Sequence, residues 1–223
     1  MHALIDQPSP RSKIETVEHL LHALGDVPAS RVLLHPAPGT ATEADLLQVV
    51  ERHDRLCELG EATLVEKGVG FDEGILEAGI STILGTFVTA HQLGVCGSAS
   101  TTLRMLGGNI RLPDINFFAW NDLPSGQLPK SKVPKLSPTL AVEVLSESNT
   151  PAEMKRKRGE YFESGTKLVW QFDPAARTVE VFTPDGPDTP MRLTAADTLD
   201  GGSVLPGFSV KLVEIFSVLD AGR

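Results

Sequence analysis

The chain has 223 residues, 41% hydrophobic and 22% charged, with a formal net charge of −9. That length suits one domain with a full core, and the acidic balance argues against a nonspecific coat on nucleic acid. No apolar run reaches the roughly 18 residues of a membrane span, residues 1–26 lack the segments of a signal peptide, and two cysteines, Cys57 and Cys96, make no disulfide framework, so a cytoplasmic protein with reduced thiols is expected.

Residues 1–40 read as a peripheral extension, and 41–223 as a single domain. Ile14, Val17, Leu20, Leu21 and Leu24 recur at helical spacing, and Pro28, Pro36 and Pro38 then interrupt the chain. Thr42-Glu43-Ala44-Asp45 resembles a helix start. Leu56 to Glu66 predicts a hairpin turning near Gly60-Glu61. Phe71 to Leu93 carries the strongest helical pattern, with Leu76, Ile80, Ile83, Leu84, Phe87 and Val88 on one side and Gly94 as a C-cap. A strand from Val95 toward Met105, a turn at Gly107-Gly108-Asn109 and a return strand from Ile110 to Phe118 form a predicted hairpin.

A loop rich in Pro, Ser and Lys, 121–137, leads to the apolar strand Leu140–Leu145. Thr150-Pro151-Ala152-Glu153 is a well-formed helix start, and that helix is predicted to end near Ser164-Gly165. Leu168 to Phe172 reads as a buried strand, Thr178 to Thr183 as another, and Met191 to Leu193 as a short one. Leu212, Ile215, Phe216 and Leu219 fit a closing helix. A mixed sheet flanked by helices is the natural sum.

Two acids interrupt apolar faces. Asp114 shares a strand face with Ile110 and Leu112, and Glu143 shares one with Ala141 and Leu145. Strands apolar on both faces belong inside a sheet, where a lone carboxylate needs a partner or a metal. On adjacent strands the two carboxylates would share one hard cation, because Mg2+ is held by one or two carboxylates plus substrate phosphate, and such an ion serves phosphodiester hydrolysis. The alternatives stay open: Asp114 as a turn residue after Pro113, Glu143 as half of a buried ion pair with an arginine. Glu153, Lys157 and Tyr161 share a face of the following helix, from which Lys157 would reach the acids, while Glu153 reads as a capping residue. Glu73 opens the long helix as a third carboxylate or simply as a complement to its dipole. The six histidines show no zinc-binding spacing. Residues 104–158 hold nine Lys/Arg and five Asp/Glu, a local +4 against −13 in the remainder, so basic residues gather around the two acids.

The runs Pro113-Asp114-Ile115, Leu140-Ala141-Val142-Glu143-Val144-Leu145-Ser146, Glu153…Lys157…Tyr161-Phe162…Gly165 and Val169-Trp170-Gln171-Phe172-Asp173-Pro174, in this order, resemble the Uma-two family of endonucleases in the PD-(D/E)XK superfamily. So do the hairpin at Leu56–Glu66 and the ending Gly202–Phe208. The resemblance covers roughly residues 54–219. It implies a restriction-endonuclease-like α/β core: a mixed central β-sheet flanked by α-helices, with an N-terminal β-hairpin and helical extension. It implies Asp114 and Glu143 as ligands of Mg2+ or Mn2+, and Lys157 as the catalytic lysine moved onto the helix, since Leu145 stands where the superfamily carries it. Glu73 is the further catalytic candidate. The implied substrate is nucleic acid, DNA above RNA; no membrane is involved, and a homodimer is expected. The alternative is a decayed fold acting as a homodimeric or partner-binding module.

Overall fold

The computed structural model describes residues 14–53, 55–68 and 70–220. Of the expected peripheral extension, residues 1–13 therefore lie outside the described residues. The elements run α1 (Val17–Ala23), α2 (Glu43–His53), β1 (Cys57–Gly60), β2 (Thr63–Glu66), α3 (Phe71–Ala90), β3 (Gly94–Ser98), β4 (Leu103–Arg104), β5 (Ile110–Arg111), β6 (Ile115–Ala119), β7 (Leu140–Val144), α4 (Pro151–Glu163), β8 (Leu168–Asp173), β9 (Thr178–Phe182), β10 (Met191–Thr194), β11 (Thr198–Asp200), β12 (Ser209–Lys211) and α5 (Leu212–Phe216).

The strands form a large sheet ordered β10-β9-β8-β7-β6-β3, a small sheet β2-β1-β5-β4, and the pair β11-β12. Only β7 and β8 run parallel among the described pairs, and α4 connects them, as a parallel step requires a crossover. Val142 and Val144 of β7 join Leu76, Ile80, Leu84 and Val88 of α3 in the main core. Ala141 joins Tyr161 of α4, Val169 and Phe182 in a second core on the opposite face. By alternation Glu143 belongs to the α4 face.

The hairpin expected from Val95 to Phe118 proves to be divided between two sheets. β3 pairs with β6 in the large sheet, and β4 pairs with β5, which pairs in turn with β1 in the small one. The break falls at Leu112-Pro113-Asp114. Proline has no N–H to continue a ladder, so pairing stops there and the chain passes from one sheet to the other with Asp114 at the junction. The β1–β2 turn also differs in detail. Glu61 and Ala62 hold it, both at φ 49°, the mirror-image geometry that suits strand twist.

Helix α4 starts as its sequence indicates, the Thr150 Oγ1 accepting from Glu153 N at 3.0 Å with Pro151 in the first turn. It ends at Glu163, with Gly165 at φ +106° beyond it. The closing helix is shorter than its apolar spacing suggests, and a 3₁₀ turn follows it. Among the described residues no helix is long and apolar enough to cross a membrane.

Residues 14–41 brace the start of α4. Leu20, Leu24 and Val27 bury against Val65. Arg31 makes a bidentate pair with Glu153 at 2.8 and 2.7 Å, so Glu153 contributes more than a cap. Thr150 Oγ1 donates to the Gly25 carbonyl at 2.5 Å. Gly25 has φ +89°, and a Cβ there would meet the Glu153 Cα at 2.5 Å. Gly25→Ala is therefore expected to cost about 2 kcal/mol or more, from left-handed strain plus overpacking, read as a lower urea midpoint. An unchanged midpoint would show that this contact is loose.

Candidate active site

Asp114 precedes Ile115, which pairs with Val142 across β6 and β7, so it comes level with Glu143. Its Oδ2 accepts from the Val144 N–H at 2.7 Å. Its Oδ1 takes the Lys67 ammonium at 2.6 Å, and Lys67 also donates to the Leu112 carbonyl at 2.5 Å. Glu143 is buried under α4. Its carboxylate accepts from Lys157 Nζ at 2.9 and 3.0 Å and from the Tyr161 hydroxyl at 2.5 Å. The buried ion pair open to Glu143 is thus made with a lysine, one helical turn from the tyrosine that shares its face.

Lys157 has a second carboxylate, Glu58 of β1, at 3.0 Å. Glu58 in turn meets Arg111 Nη1 at 2.9 Å and accepts from Leu112 N at 3.1 Å. Arg111 continues to Glu160 at 2.6 and 2.9 Å. Glu143, Tyr161, Lys157, Glu58, Arg111 and Glu160 therefore form one connected buried network that spans both sheets and α4.

Burial alone would neutralise these groups, and their neighbours decide otherwise. Burial pushes the Glu58 carboxyl up, yet Lys157, Arg111 and Lys67 hold it well below its ordinary range. Burial outweighs the pull of Lys157 at Glu143 and Asp114 adds to it, so the Glu143 carboxyl is raised. Burial opposes the charge on Lys157, but Glu143 and Glu58 overcome it and the ammonium is held above its usual value. Lys157 is thus a fixed positive charge.

Of the sequence candidates, Asp114, Glu143 and Lys157 come together. Glu73 does not join their hydrogen bonds. Its carboxylate curls back against Gly70, the first residue before α3, with Oε2 1.9 Å from where a Gly70 Cβ would stand. The α3 carboxylate that senses the site is Glu77, one turn further on. Burial first, then the Asp114 charge, push it up to about 7. Sequence reading missed Glu58, Lys67, Arg111 and Glu77. A polar residue alternating with Cys57 and Leu59 is the ordinary mark of a solvent-facing position, so Glu58 gave no warning. Of the basic residues around the acids, Lys132 is paired with Glu51, Arg156 with Glu61 and Glu160, and Arg158 with Asp188.

Beside Glu143 the register runs on to Gln171 of β8 and Glu180 of β9. There the face opens into a cleft of 1310 Å³ bounded by the start of α3, the 145–151 loop, α4 and β8–β10.

The family model described as "Putative restriction endonuclease", Uma2, matches residues 43–215. The chain belongs to the Uma2 family. A crystal structure described as a putative nuclease belonging to DUF820 from Anabaena variabilis superposes with a TM-score of 0.64 at 17% identity, covering 73% of this chain and 90% of that one. At that identity the likeness speaks for the fold, and it agrees with the mixed sheet flanked by helices. None of the curated proteins matches.

In the Uma2 chain Lys157 is the cation shared by two buried carboxylates. Lys157→Met leaves Glu58 and Glu143 facing each other without their shared cation. It is expected to cost about 3–5 kcal/mol and to lower the melting temperature by roughly 6–20 °C. A fall of no more than a degree or two would mean that other groups neutralise the pair.

Glu77 supplies a test with a definite sign. A raised carboxyl favours the protonated fold, so its contribution is fully present below the ordinary value of 4.5 and is lost as pH rises through about 7. In metal-free buffer Glu77→Gln should leave the melting temperature near wild type at pH 5 and raise it at pH 8. Stabilisation at pH 5 alone would contradict this placement.

Proposed function

We propose that this protein is a metal-dependent nuclease that hydrolyses phosphodiester bonds at Asp114 and Glu143. The observation that carries this reading is the register that brings Asp114 level with Glu143 across β6 and β7, with Asp114 hydrogen-bonded to the residue after Glu143 and a lysine reaching Glu143 from α4. Among the described residues no group of three His, Cys, Asp or Glu is arranged to hold a metal. Two carboxylates with all-oxygen donors nevertheless fit Mg2+ or Mn2+, which take one or two protein carboxylates and complete their shell with water and substrate. Asp114 and Glu143 would hold the ion. When bound, it would polarise the phosphodiester and lower the pKa of water.

The residues of the chain divide the remaining work. Lys67 is tethered by the Leu112 carbonyl as well as by Asp114, so its ammonium stays at the site when the Asp114 oxygen turns to another cation. Lys157, permanently charged, offsets negative charge gathering on the phosphate. Glu77, whose carboxyl burial and the Asp114 charge push up to about 7, is suited to accept a proton from an attacking water at its carboxylate. Glu73, at the head of α3, lines the cleft that opens beside the site.

A second reading has its own observation. Lys67 and Lys157 already neutralise Asp114 and Glu143, as in a site that has lost its metal and serves as a homodimeric or partner-binding module. Cleavage of supercoiled plasmid and of a labelled single strand, with magnesium or manganese, separates the two. Wild type is expected to cut and Asp114→Asn and Glu143→Gln to fall to background while keeping their circular dichroism. Wild type that neither cuts nor binds magnesium by calorimetry would overturn the nuclease and favour the module.

A further inference from the structure

The cleft beside Glu143 has two features that the phosphodiester chemistry leaves unused. Gln171 is only 4% exposed, lines the cleft and stands next to Glu143 in the parallel register. Its Nε2 is buried without a hydrogen-bond partner, and an unmade buried hydrogen bond is a cost a fold normally avoids. Phe71, the first residue of α3, lies on the same cleft and is 82% exposed. A free amide in the floor and a free aromatic ring at the rim are the two groups that grip a nucleobase, one by its edge and one by its face.

The charge of the cleft chooses between a base and a backbone phosphate. Among the described residues six acids and three cations line it. Each of those cations is already engaged: Lys155 and Arg158 with Asp188, and Arg192 with Glu180. Arg158 is further pinned over the Phe182 ring at 3.9 Å. A polyanionic strand lying along such walls would be repelled, whereas a base is uncharged. The volume of 1310 Å³ exceeds the roughly 300–1,000 Å³ of small-ligand pockets and leaves room for a base with its sugar.

We propose that this cleft is a nucleobase pocket for single-stranded nucleic acid, in which Phe71 stacks on a base and the Gln171 amide hydrogen-bonds its edge, next to the phosphate handled at Asp114 and Glu143. The proposal rests on the nuclease reading for the identity of the polymer. A paired base inside a duplex presents no free face to Phe71, so the pocket favours strands whose bases are already unstacked.

Binding of a short fluorescent oligothymidylate, by anisotropy with calcium in place of magnesium, tests it. Phe71→Ala and Gln171→Leu are each expected to weaken binding about tenfold, the scale of one lost base contact. An otherwise identical abasic strand should bind wild type as weakly as the variants bind the parent strand. Gln171→Leu should melt no lower than wild type, because it removes an unsatisfied group. Equal affinity for abasic and parent strands, variants that bind like wild type, or a wild type that binds no strand would each overturn the pocket. If Gln171→Leu lowers melting temperature and binding together, the exposed Phe71 decides. Cutting of the same strand with magnesium keeps the two readings apart. Base-dependent binding without cutting defeats the nuclease and leaves the pocket. Cutting with base-independent binding does the reverse.

Discussion

The Lys157 ammonium lies within 3.0 Å of Glu58 from the small sheet and of Glu143 from the large one, almost out of reach of water. Either carboxylate alone in that position would be expelled or protonated, and two without a cation would drive their strands apart. The arrangement of β1, β7 and α4 about one another is therefore set by charge as much as by apolar contact. Arg111 repeats the device a few residues away, joining Glu58 to Glu160 of α4. Buried networks of this kind are costly to assemble and specify one geometry once assembled. A one-residue slip of β7 would exchange the two hydrophobic faces and turn Glu143 away from Lys157 as well.

That division explains what the amino-acid order reveals and what it conceals. Short-range features are legible. Thr150 and Pro151 start α4 through contacts within one turn, and Leu76, Ile80, Leu84 and Val88 form a stripe whose spacing alone implies burial. The acids Asp114 and Glu143 stand out because they break apolar strands. Long-range features are hidden. Nothing near Ile110 tells that it pairs with Leu59 of β1, so a strand shared between two sheets reads as one continuous run. Glu58 becomes a buried group only when that pairing is made. Glu73 and Glu77 lie one turn apart on a helix apolar around most of its circumference, which includes Ile75, Ile83 and Phe87 as well as the buried stripe. Such a helix does not declare its rotation, and the turn that faces Asp114 emerges only from its packing.

The N-terminal segment illustrates the same limit from another side. Its sequence is proline-broken and polar enough to read as an appendage, yet Arg31 closes on Glu153, the Glu66 carbonyl and the Ser148 carbonyl at once. An arginine with three such partners holds the hairpin, the loop after β7 and the start of α4 in fixed relation. Position 153 is thereby tied to Arg31, leaving Lys157 and Tyr161, one and two turns on, as the residues of that face that reach Glu143.

The balance of charge around Asp114 bears directly on how a cation would enter. Lys67 and Lys157 match Asp114 and Glu143, and Arg111 serves Glu58, so the site stands nearly neutral by its own means. A divalent ion arriving alone would bring excess positive charge into a medium that screens poorly. Two things can offset it: ionisation of Glu77, whose carboxyl is held up near 7 chiefly by burial and by the Asp114 charge, and a phosphodiester. Each ion bound makes the anion more welcome and each anion the ion, and linkage requires the two effects to be equal in free energy. On this chemistry the lysines do not argue against a metal; they would make its retention conditional on a further negative charge, from Glu77 or from a phosphodiester, and their pairs hold the fold without it.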